Sequence, residues 1–168
     1  MKRALKFVHT LGAVGVTGAL AAGLVLLAAP LPADSPLALA TLRSGLDKLF
    51  TWILLPSLLL VLISGLLSIA VHAPFREARW VWVKALLGLS LFEGILGGIQ
   101  GPARRAAEYA DALVDGTAQA GIVETLLPNE RILLSAMLVI AVVNIVLAIW
   151  RPRLRRRRFN RDAGSAAR

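Results

Sequence analysis

Cysteine is missing from this chain, and with it disulfides, thiolate catalysis and cysteine-ligated iron–sulfur clusters; the redox compartment stays undetermined. Met1 and Met137 are the only methionines. Soft Cu(I) sites draw on Cys and Met, so a thioether copper relay lacks its ligands. There is no phosphate-binding glycine loop, no HExxH pair and no nucleophile–base constellation, and the reading leans away from an enzyme. No internal repeat is visible, whereas a solo secondary transporter usually builds its site between repeats. Acidic residues are few, 10 against 19 lysines and arginines, and histidine occurs only as His9 and His72. No clustered carboxylate joins those histidines, which argues against a metal site.

What the chain has in quantity is apolar surface. It is 57% hydrophobic, with a mean hydropathy of +0.71 and a net charge of +9, values that a soluble domain hardly tolerates. A length of 168 residues fits one domain, and no stretch between the apolar runs has room for a core of its own. The expectation is an all-α integral membrane four-helix bundle, a single domain over 1–168 with spans at about 5–28, 49–72, 80–101 and 131–150.

The first span, Leu5 to Ala29, follows a basic start and is long enough to cross a bilayer. A cleaved signal peptide is the competing reading; the run exceeds the usual h-region of about 7–15 residues and has no clean small-x-small site before Pro30 and Pro32. His9, Gly12, Gly15, Ala19 and Ala22 fall three or four apart and share one broad face, the expected packing seam. His9 is either a headgroup-level residue satisfied by a neighbour or a ligand or proton carrier.

Ser35 followed by Pro36 reads as an N-cap with proline at the first helical position. The helix it opens, about 36–48, mixes leucines with Arg43, Asp47 and Lys48 and is expected to lie at the interface or stand proud of it. Pro56 should kink the second span. Ser57, Ser64, Ser68 and His72 line one face of that span; for the serines, helix packing and bonds to their own backbone account for the pattern.

Trp80 to Pro102 is the most informative stretch. Trp80 and Trp82 form an interfacial anchor, and Lys84 either snorkels to the headgroups or lines a site. Glu93 lies near the middle of the apolar run, where an ionisable group costs about 2.5–3.5 kcal/mol on insertion scales, so a partner is expected. Trp82, Leu86, Glu93, Gly97 and Gln100 share a face, which is expected to turn toward another helix. Asn144, deep in the last span with Ala141 and Ala148, is a candidate hydrogen-bond partner for Glu93, as is Gln100 of a neighbouring copy.

Residues 102–115 read as a solvated helical extension and GTAQAG as a flexible connection, with Asn129 a candidate cap for the last span. After Trp150 comes a juxtamembrane polybasic tail, 151–168. A topology signal and contact with anionic lipid account for it better than nucleic acid does. Lys2, Arg3, Lys6, Arg76, Arg79 and the tail fall on one side of a four-span arrangement and most acids on the other, which predicts both termini in the cytoplasm and a multi-pass protein of a bacterial inner membrane.

The opening Lys6-Phe-Val-His9 with Leu-Gly-Ala-Val-Gly after it resembles the first helix of the CopD-like group of small bacterial membrane proteins. The closest likeness within that group, over about residues 5–150, is to integral membrane proteins of unknown function; others include copper-resistance D domains and HemJ-type protoporphyrinogen oxidases. Trp80-x-Trp82-x-Lys84 resembles the HemJ-type tryptophan, histidine and lysine signature, with Trp82 standing where that family has histidine. The resemblance implies His9 and Lys84 as candidate haem-site positions. His72 joins them because the four-span topology puts it at similar depth, and haem b is the cofactor such a pocket would take. Three readings therefore stay open: a structural or accessory bundle, a haem b redox protein using His9 with His72 or Lys84, and a transporter subunit using Glu93, with homo-oligomerisation as one way to complete a site.

Overall fold

The computed structural model describes residues 2–30, 35–71, 79–118 and 123–150. All its regular structure there is helical: α1 (Lys2–Ala28), α2 (Pro36–Leu49), α3 (Leu55–Val71), α4 (Arg79–Glu93), α5 (Gly101–Val114) and α6 (Val123–Trp150). Two π-helical turns, Phe50–Leu54 and Gly94–Gln100, join α2 to α3 and α4 to α5 without a break. Four stretches are long and apolar enough to cross a membrane: Arg3–Ala28, Pro36–Val71, Val81–Val114 and Asn129–Trp150. By the length and composition of these helices the chain is a multi-pass membrane protein.

The spans close into a ring in chain order. α1 packs along α3 most intimately, then against α6; α6 packs on α4, and α4 touches α3 only lightly. The expected seam on α1 is real, and its cause is steric. A methyl at Gly12 would stand 2.8 Å from the Ser57 carbonyl oxygen and one at Gly15 would overlap the Ser57 hydroxyl, so only hydrogen lets the helices close. Val16, Ala19 and Leu20 continue the contact into a core shared with Leu54, Leu58, Ile95, Ile99 and Leu134.

Ser35 caps α2 as its sequence predicts: its Oγ accepts from the Ala38 amide at 3.2 Å, and Pro36 opens the helix. No break separates α2 from the second span, however. One continuous helix of 36 residues runs from Pro36 to Val71, about 54 Å at 1.5 Å per residue, so α2 stands beyond the span rather than lying flat. Pro56 supplies no amide hydrogen and crowds the preceding turn. The helix accommodates it through the π turn just upstream, where the Leu55 amide donates to the Phe50 carbonyl.

The third span repeats this device, with Pro102 two residues beyond its π turn. α5 is solvated on one side only. Arg104 and Glu108 pair at 2.9 Å on its exposed face, whereas Ala103, Ala106, Ala107 and Ala110 are buried and α5 packs on α2. Small side chains allow that close approach. Gly116, at φ 71°, ends the helix in the left-handed conformation, and the Thr117 amide donates back to the Ala112 carbonyl. The last helix begins at Val123, so Asn129 lies inside it instead of capping it.

Candidate functional site

The candidate residues sit at three levels of the bundle. At the end where α1 begins, His9 is half-buried on the α1–α3 seam. Its Nδ1 lies 3.0 Å from Ser64 Oγ and 3.1 Å from the Val61 carbonyl oxygen, and its ring covers Gly65. Ser64 Oγ also donates to the Leu60 carbonyl at 2.5 Å, and Ser68 Oγ donates to the Ser64 carbonyl at 2.8 Å. The serines thus bond to their own helix, and Ser64 additionally holds the imidazole. Lys84, half-buried on α4, brings its ammonium within electrostatic reach of the His9 ring. His9 and Lys84 therefore share one end of the bundle; His72 and the tail 151–168 lie outside the described residues.

At mid-depth the expected polar seam does not close within a single chain. Trp82, Leu86, Glu93 and Gly97 do share a face, but it is the outward one: Trp82 is 58% exposed, Leu86 is 65% exposed, and Glu93 and Gly97 are exposed. The physical reason is the position of the core contacts. Leu91 and Ile95 are buried, and Glu93, two residues from each, projects from the opposite side of the helix. Gln100 leaves that face because the intervening π turn alters the helical phase; its Nε2 donates to Thr51 Oγ1 at 3.2 Å, joining the two π turns. Asn144 does not meet Glu93. Its Oδ1 is enclosed within the chain without a hydrogen-bond partner.

The third level escaped the sequence reading. Arg43, grouped in the sequence with Asp47 and Lys48 on a helix expected at the interface or proud of it, is 1% exposed and pairs through its Nη1 with Glu130 Oε2 on α6 at 2.6 Å. Arg43 Nε and Nη2, Glu130 Oε1 and Asp47 Oδ1 are all enclosed there without partners. A clue existed. Ala40, Arg43, Leu46 and Phe50 recur at helical spacing and all are buried, so the arginine interrupts the apolar stripe of its own helix. Beside it, the Arg131 guanidinium donates to the Leu27 carbonyl and so caps the last turn of α1.

An apolar groove lined by Leu26, Leu37, Ala38 and Leu42 lies where α1 ends and α2 begins, away from His9. Among the described residues no group of three or more His, Cys, Asp or Glu is placed to hold a metal ion. No protein-family model, no curated protein and no solved structure matches this chain.

Proposed function

We propose that the protein is a structural or accessory bundle of a bacterial inner membrane, with both termini cytoplasmic and the basic tail on anionic lipid. The observation that carries this reading is the use of polar side chains as ties between helices. His9 binds α1 to α3, Gln100 binds the two π turns, Arg43 binds α2 to α6, and Arg131 binds α6 to the end of α1. Such ties fix helix geometry, the property a scaffold or accessory subunit supplies to its assembly.

A haem b redox role is the second reading, favoured by the placement of His9 and Lys84 at one end of the bundle and by the CopD-like resemblance those residues carry. His9 spends Nδ1 on α3. An iron bound through Nε2 would then have its ligand oriented by Ser64 and Val61. The two readings separate in one measurement. Protein purified from cells supplied with haem precursor is expected to show no Soret band; a band that His9→Ala abolishes would replace the structural reading by the redox one.

A further inference from the structure

Glu93 stands at the middle of the membrane and faces away from its own bundle. Along the continuous third helix, at the α-helical rise of 1.5 Å per residue, it lies about 13 Å from Lys84 and at most about 16 Å from Arg104, since the π turn Gly94–Gln100 rises less per residue. Together these distances match a hydrocarbon core about 30 Å thick, with the two basic residues at its borders. Among the described residues no hydrogen bond or ion pair reaches the Glu93 carboxyl. A carboxyl at that depth facing lipid is costly and calls for a partner.

We infer that the partner is a second copy of this chain, packed on the same face. Ser90, one turn before Glu93, is exposed on that side, and Gly97, one turn after it, has open space where a side chain would stand. Copies inserted with the same orientation are related by a two-fold axis along the membrane normal, so their third helices run parallel and each patch meets itself. Across that axis the Ser90 hydroxyl of each copy donates to the Glu93 carboxyl of the other, one turn away along the helix. Gly97 lets the backbones approach closely enough for the bond. The face thus carries both donor and acceptor one turn apart, within side-chain reach across the axis, and Leu86 extends the apolar contact on the same side.

The absence of cysteine makes the test direct, because one introduced cysteine reports one position. Leu86→Cys in the full-length chain, oxidised in native membranes, is expected to give a covalent dimer, while Ile63→Cys, exposed on α3, gives none. Leu89→Cys, exposed on the same side, serves if the first variant does not accumulate. Adding Glu93→Leu should reduce cross-linking about tenfold, and Glu93→Gln, which keeps an acceptor, by less than about threefold. The unmodified protein in lipid nanodiscs should weigh as two copies. A monomer there, cross-linking at Ile63→Cys equal to that at Leu86→Cys, an unaffected Glu93→Leu variant, or cross-links to a different protein alone would each overturn the pairing. None of these outcomes depends on whether haem is bound, so the inference fails or survives separately from the structural reading.

Discussion

Arg43 and Glu130, 87 residues apart in sequence, meet in an ion pair of 2.6 Å with side chains 1% and 5% exposed. A pair so enclosed has lost its hydration, and the mutual attraction roughly offsets that loss. Removing one member is expected to cost about 3–5 kcal/mol, because the other charge is left buried alone. Arg43→Met combined with Glu130→Leu should recover most of that loss. Unfolding of the two single variants and the double variant in mixed micelles checks this; a double variant as unstable as the sum of the singles would remove the pair from the account.

The α1–α3 seam predicts a contrast between two glycines of one helix. At Gly12 an added methyl meets the Ser57 backbone oxygen at 2.8 Å and the Val61 side chain at 2.9 Å, whereas at Gly18 it meets nothing within 4 Å. Gly12→Ala should therefore destabilise by about 1–3 kcal/mol, the usual range for overpacking. Gly18→Ala should be neutral or slightly stabilising, since alanine is the better helix former by about 1 kcal/mol. Thermal melts followed by circular dichroism would distinguish the two.

His9 makes a modest tie. Ser64→Ala removes one of the two oxygen atoms near Nδ1 and leaves the Val61 carbonyl in place, so the expected loss is about 0.6 kcal/mol, the average for hydrogen bonds between membrane helices. His9→Leu removes the polar end altogether and should cost more. Equal losses in the two variants would show that the Ser64 contact accounts for the whole contribution.

The proposed topology, with four crossings, puts both ends of the chain on one side, and the excess of Lys and Arg there marks that side as the cytoplasmic one. A cytoplasm-active reporter fused after Arg168 should be active and a periplasm-active one silent. Activity of the periplasmic reporter alone would invert the arrangement.

Much of the fold was legible because it rests on local rules. Run length gave the four spans, Ser35-Pro36 gave the start of α2, and the spacing of Gly12, Gly15 and Ala19 gave the seam that α1 presents. What stayed hidden was direction. Trp82, Leu86, Glu93 and Gly97 form a face by periodicity alone, but whether it turns toward protein or lipid depends on Leu91 and Ile95 finding the core. In a bilayer both environments are apolar, so the pattern carries no sign. The Arg43–Glu130 contact was hidden for a different reason: sequence marks each residue as charged, and only the tertiary fold, with α5 packed on α2, brings the two together out of solvent.

Each proline-linked π turn also sets an angle. A π turn holds more residues per revolution than an α turn, so everything beyond it is rotated relative to an unbroken α-helix. Deleting a single residue there would turn the outer segment by about 100°. On the third helix that rotation would swing Ala103, Ala106 and Ala110 away from α2 and bring Arg104 toward the contact instead. The two insertions act as a vernier for the collar formed by α2 and α5, tuning its azimuth independently of the membrane-embedded halves. Substitutions should be tolerated at many positions of those turns, while changes in their length should not.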